Sequence, residues 1–154
     1  MVTVGVIGLG TMGWRIAKVL REDGLLRGVY NRTPSKARAF AEEFKVKVYG
    51  NPAELARDVD VVLSIVSDDD AIRAVMLGDG GVLNGVKGGS LVIEMSTISP
   101  SIELAKLMTP SRPFGRGFTA GVLGVTPSLG VNGFVLGVVV RVGYHPTGSS
   151  EARE

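Results

Sequence analysis

The sequence predicts an α/β fold, a doubly wound parallel sheet in a single domain, on three observations. An apolar segment, Val2 to Ile7, leads directly into Gly8, Gly10 and Gly13 and then into a helical pattern. Strand-like and helix-like stretches alternate after it. Asp60 to Val66 reads D-V-V-L-S-I-V, the near-continuous apolar run of a central parallel strand buried on both faces.

The glycines have the spacing G-x-G-x-x-G between a strand and a helix. In such a turn the first glycine permits the tight exit from the strand. The second lets a pyrophosphate approach the backbone, and the third lets the helix pack closely. The helix start adds free N–H groups and the positive end of a dipole. The motif alone is a weak signal, because the chain has 22 glycines and S-adenosylmethionine enzymes carry similar loops.

The first helix is expected from Thr11 to Asp23, with Met12, Ile16, Val19 and Leu20 facing inward and Gly24 as its stop. A short strand, Gly28 to Tyr30, then delivers Asn31-Arg32-Thr33. In a dinucleotide-binding unit this place meets the adenosine ribose, and an acidic residue there favours the free 2′-hydroxyl of NAD. Here Asn31 is neutral and Arg32 offers a guanidinium fork suited to a phosphate dianion. Thr33 adds a hydroxyl and Lys36 a further positive charge. The expectation is NADP over NAD, and it counts against S-adenosylmethionine. A capped helix start with surface cations would use the same residues.

Thr33-Pro34 opens a second helix as cap and first residue, with Ala37, Phe40, Ala41 and Phe44 as its buried stripe. Val46 and Val48 fit a short third strand. Asn51-Pro52-Ala53-Glu54 combines a cap, an N-terminal proline and a glutamate three residues after the cap, starting a helix to Arg57. Beyond the central strand, Asp68 or Asp69 caps a helix that buries Ala71, Ile72, Val75 and Met76. Capping is preferred to ligand contact for these aspartates. Gly78 to Gly89 connects to a fifth strand, Leu91 to Met95, which exits through Ser96-Thr97-Ile98-Ser99-Pro100. The hydroxyls of Ser96 and Thr97 suit either a cofactor amide and a substrate oxygen or an ordinary turn.

Composition removes several classes of function. With no cysteine there is no disulfide, thiol nucleophile or Cys-ligated metal. The one histidine, His145, cannot build a multi-histidine metal site and is expected in solvent. A net charge of +2 without a Lys/Arg block does not point to nucleic acid. Val131 to Val142 is too short and glycine-interrupted to span a bilayer, and Met1 leads into a strand without a basic leader. A cytoplasmic location is expected.

Four segments in order carry a resemblance to the β-hydroxyacid dehydrogenases, the group of 3-hydroxyisobutyrate and 6-phosphogluconate dehydrogenases. They are G-L-G-T-M-G at Gly8 to Gly13, N-R-T at Asn31 to Thr33, S-D-D at Ser67 to Asp69 and S-T-I-S-P at Ser96 to Pro100. The resemblance covers residues 1–108, leaving 109–154 as a divergent tail. It implies a Rossmann domain of a two-domain oxidoreductase that moves a hydride between NADP and a small 3-hydroxy acid or semialdehyde. By that analogy Gly8, Leu9, Gly10, Thr11, Met12 and Gly13 hold the pyrophosphate. Arg32 and Thr33 hold the adenosine phosphate, beside Asn31 and Lys36, which the residue chemistry above places at the same end of the cofactor. Val66, Ser67 and Thr97 line the nicotinamide side, and Ser96 contacts substrate.

The sequence departs from the family after that point. The family's D-A-P-V-S-G-G segment has its best counterpart in Gly115 to Gly121, where Thr119 and Gly121 would stand at substrate. The family's catalytic lysine motif, G-x-x-x-K-x-x-N, is absent, and Lys106 lies on the wrong helix, so no catalytic residue is assigned. No acidic residue occurs from Leu104 through Ser150. The tail reads either as a divergent completion of the sheet, with Phe134 to Val142 in the sixth-strand position, or as the product of a reading-frame change, which is slightly preferred. The expected function is therefore NADP binding, with doubtful turnover by the chain alone. A non-catalytic module, or one subunit of a split enzyme with a helical partner, is the alternative. Self-association, the substrate's identity and activity of the isolated chain stay open.

Overall fold

A computed structural model describes residues 1–96, 118–127 and 135–144, the last two segments as backbone. The strands are β1 (Val4–Ile7), β2 (Leu26–Tyr30), β3 (Lys47–Val48), β4 (Val61–Ser64), β5 (Leu91–Glu94), β6 (Phe118–Pro127) and β7 (Val135–Tyr144). The helices are α1 (Thr11–Glu22), α2 (Pro34–Phe44), α3 (Pro52–Asp58) and α4 (Asp69–Leu77). Strand order is β3-β2-β1-β4-β5-β7-β6, and the first five strands are mutually parallel. Order reverses beside β1, the place where an open sheet leaves a crevice at its carboxyl ends.

The alternation of the strands divides the core in two. Val4 and Val6 of β1 join Ala17, Val29, Ala37, Phe40 and Leu63 under α1 and α2. Ile7 joins Leu55, Val62, Ile72, Met76, Val82 and Val92 under α3 and α4. Trp14 meets Phe40 edge-on, with ring centroids 4.9 Å apart, and ties α1 to α2. Fully burying a ring such as Phe40 stabilises the fold by about 2–3 kcal/mol.

Local chemistry explains the helix starts. Asn51 Oδ1 accepts from the Glu54 amide at 2.9 Å, and Glu54 reaches back to the Gly50 amide at 3.1 Å. Asp68, rather than Asp69, caps α4, accepting from the Ala71 amide at 2.8 Å. Thr33 holds the cap position of α2 but makes no side-chain cap bond.

The inward face of α1 is the expected one at Ile16 and Leu20, which pack against the core, and differs elsewhere. Met12 and Val19 are 57% and 54% exposed, while Gly13 and Ala17 are buried. A Cβ at Gly13 would overlap the Gly8 carbonyl oxygen, so the glycine is the point of closest approach. That contact sets the rotation of the helix and turns Met12 and Val19 outward.

The tail strands also differ from a purely parallel completion. β7 lies beside β5 but antiparallel, with Glu94 opposite Val138 and Leu91 opposite Arg141. β6 pairs outside it, again antiparallel. Consequently β6 runs in the direction of β5, and β7 returns between them. No helix among the described residues is long and apolar enough to cross a membrane.

Candidate functional site

A crevice of about 920 Å³ opens at the carboxyl ends of β1, β2 and β4. Its floor is the turn from β1 into α1, where Gly8 has φ +94°. A Cβ there would be strained and would strike the Ile65 carbonyl oxygen, so glycine is required by the fold. Gly13 is required for the helix packing described above. Gly10 is different: its φ of −71° suits any residue, and a Cβ would meet nothing within 4 Å. The open space beside it is the crevice, into which a side chain at this position would project. This is the fit expected of a backbone cradle for a diphosphate.

Thr11, Met12 and Gly13 continue the lining along α1. Leu9 does not join them: its side chain is in the core, 2% exposed, and its amide donates to Asn31 Oδ1 at 2.8 Å. Asn31 also donates to the Thr33 carbonyl at 3.0 Å. Its amide group thus braces the glycine turn against the end of β2 while the residue lines the crevice.

Arg32, Thr33 and Lys36 line the same flank and are exposed. Among the described residues neither cation forms an ion pair within 4 Å. Asp68, the cap of α4, is not part of the crevice lining but feels the charge of this flank. Its carboxyl is held below the usual range by the Ala71 amide, then by Ser67, with the Arg32 charge adding to both. Asp70, on the first turn of α4, is an acid in the crevice lining itself.

The opposite flank contains Ile65, Val66 and Ser67. Ser96 lies behind it, 2% exposed, and its hydroxyl accepts from the Val66 amide at 2.7 Å. The same hydroxyl contacts the Glu94 carboxylate, which also accepts from the Ser96 amide at 2.8 Å. Ser96 is therefore placed as a brace for Val66 and is absent from the crevice lining. Thr97 lies outside the described residues, as does His145.

The strand register places Thr119 and Gly121 far from the crevice. Gly121 is level with Arg141 and hence with Leu91, at the amino end of β5, and Thr119 lies two residues further away. The structure does not bring them to the carboxyl ends where the crevice opens.

Sequence reasoning gave no binding role to Tyr30, Asn51, Pro52, Asp70 and Asp79, all of which line the crevice, and read Asn51 and Pro52 only as the start of α3. No binding motif marks them, because they converge from separate strands, helices and loops. It also passed over Glu94, whose one signal is an acid inside an otherwise apolar strand.

Comparison with known sequences now bears on the glycine turn and crevice. Residues 3–111 match the family described as the NAD binding domain of 6-phosphogluconate dehydrogenase. The chain belongs to that family. Its NAD-binding domain is 35% identical over 112 residues to an uncharacterized oxidoreductase of Shewanella frigidimarina, covering 71% of this chain and 38% of the relative. It is 37% identical over 108 residues to the cytokine-like nuclear factor N-PAC of Danio rerio, covering 69% and 23%. The Mycobacterium tuberculosis 3-hydroxyisobutyrate dehydrogenase structure superposes with TM-score 0.56 at 28% identity, covering 64% of this chain and 33% of that one. The chain thus spans well under half the length of these relatives.

Proposed function

We propose that this NAD-binding domain prefers NADP and serves an oxidoreductase acting on a small 3-hydroxy acid or semialdehyde. The observation that carries the cofactor preference is the pair Arg32 and Lys36, exposed at the carboxyl end of β2 without an ion-pair partner among the described residues. A carboxylate at the Asn31 position would repel a 2′-phosphate. The Asn31 amide carries no charge and is used to brace the turn. Thr33, which spends no side-chain bond on capping α2, leaves its hydroxyl for the ligand.

NADP, when bound, supplies the hydride chemistry. The chain's own residues bind and orient it. Gly10 leaves room for the diphosphate, and the start of α1 presents N–H groups toward it. Val66 and Ser67 form the wall beyond. Small-molecule substrate, a helical partner domain or subunit, self-association and a cytoplasmic location belong to the same proposal. The cysteine-free composition, which has no use for an oxidising compartment, supports the last of these.

A second reading is a dinucleotide-binding module without turnover. It needs only the crevice, the glycine turn and the cationic end of β2, all of which are binding features. Titration of the single tryptophan, Trp14, with NADPH and NADH tests the cofactor preference, since Trp14 follows Gly13 directly. NADPH is expected to bind at least tenfold more tightly. Equal affinity would defeat the preference. Steady oxidation of NADPH by semialdehydes at ordinary enzyme rates would defeat the second reading.

A further inference from the structure

The ladder between β1, β4 and β5 ends with Ile65 donating to the Ile7 carbonyl and Met95 donating to the Ser64 carbonyl, both at 2.8 Å. The next amide, Val66, is bound by a side chain, Ser96 Oγ at 2.7 Å. Ser96 is itself held twice by Glu94, through its amide at 2.8 Å and through its hydroxyl. Glu94 is 1% exposed, and its second oxygen, Oε2, has no hydrogen-bond partner. Ser64, opposite Glu94 in the register, is fully buried with its hydroxyl likewise unpartnered. An aliphatic side chain would serve packing better at this place. A buried polar group retained against that preference is explained by what it holds in place.

The direction of a bound dinucleotide follows from the strand order. With the diphosphate over the β1 turn and the 2′-phosphate at the end of β2, the other half of the molecule extends across β1 toward β4. Val66 and Ser67 line the crevice on that side. We infer that Glu94 is a positioning residue which, through Ser96, fixes the Val66–Ser67 wall for the nicotinamide half of the cofactor. The inference rests on the dinucleotide reading above and deepens it. Glu94 acts as a hydrogen-bond acceptor, a role that a glutamine carbonyl reproduces.

Two ligands separate this role from general support of the fold: NADPH, and 2′,5′-ADP, which lacks the nicotinamide half. Ser96→Ala and Glu94→Leu are expected to weaken NADPH about five- to tenfold, the effect of one lost hydrogen bond. Affinity for 2′,5′-ADP should stay within twofold of wild type. Glu94→Gln should restore NADPH binding to within twofold. Ser96→Ala removes one oxygen and keeps the measurement available if Glu94→Leu fails to fold. Unchanged NADPH affinity in Ser96→Ala, or an equal loss for both ligands, would overturn the inference alone. Wild-type protein that binds neither ligand would overturn the dinucleotide reading and this inference with it.

Discussion

On the β2 flank of the crevice, Arg32, Thr33 and Lys36 are exposed and contribute little to the fold. On the β4–β5 flank, Ser64, Ser96 and Glu94 are buried in the sheet and reach the crevice only through Val66. The two flanks meet at the glycine turn, where Gly8 and Gly13 serve the fold and Gly10 faces open space. With the roles proposed for them, binding and stability are separable on one flank and joined on the other. Long-range charge needs no rigid surroundings, whereas a wall made of backbone must be braced from behind.

Substitution in the turn is the strongest way to break this comparison. Gly13→Ala should destabilise the protein by about 3 kcal/mol or more, because backbone stands on both sides of the clash. Urea unfolding measures it. Gly10→Ala should leave the urea midpoint unchanged and weaken NADPH at least thirtyfold by titration, since only a ligand would meet its methyl group. A lowered midpoint for Gly10→Ala would show that the turn does not divide its labour this way.

On the β2 flank, Arg32→Ala should weaken NADPH about 10- to 100-fold, the range for hydrogen bonds to a charged group. NADH affinity should change less than twofold, and the melting temperature should hold. A comparable loss for both nucleotides would assign Arg32 to the adenine or the fold.

A smaller effect is expected from Glu94→Gln on stability. Burial raises the Glu94 carboxyl above its ordinary value, against the bonds from Ser96, which favour the charged form. Its register neighbours on β4 and β7, Ser64 and Val138, do not ionise in this range. With the folded value above the unfolded one of about 4.3, the protonated form stabilises the fold below that pH. This stabilisation is lost as pH rises through the raised value. Glu94→Gln should therefore melt above wild type at pH 8 and level with it near pH 4. A constant offset at all pH values would remove ionisation from the explanation.

The smallest effect should come from a charge cluster away from the crevice. Asp58 accepts from Tyr49 Oη at 2.6 Å and Lys47 Nζ at 3.0 Å, with Arg27 at 3.5 Å, and its carboxyl is held down to about 2. Its contribution is present above the unfolded value of about 3.9 and is lost as pH falls toward 2. Asp58→Asn should lower the melting temperature slightly at pH 7, match wild type at pH 2, and leave NADPH affinity unchanged. Altered affinity would tie this cluster to the crevice.

Particular residues show where the sequence could be read directly. The Asn51 and Asp68 caps follow from side chains acting within three residues of themselves. The α2 stripe from Ala37 to Phe44 follows from helical periodicity against one sheet face. On α1, apolar spacing correctly marked Ile16 and Leu20, but the outward turn of Met12 and Val19 was not legible, because the contact of Gly13 with Gly8 orients that helix. The antiparallel place of β7 was hidden for a related reason: apolar strand content does not state direction. Ser96 reads in the sequence as a substrate contact or an ordinary turn residue. Its bond to Val66 comes from a neighbouring strand's exit, and the local bond to Glu94 was hidden because nothing in the sequence marks that glutamate as buried.

By itself the sequence determined the alternation of strands and helices, the glycine turn and the cationic end of β2, since each depends on neighbours within one turn or one strand. Tertiary structure alone decided that Met12 and Val19 of α1 turn outward, that Ser96 is drawn behind the crevice wall, and that a glutamate stands behind it. Those properties depend on what other segments bring to the same place, and a linear pattern of residue types carries no record of that approach.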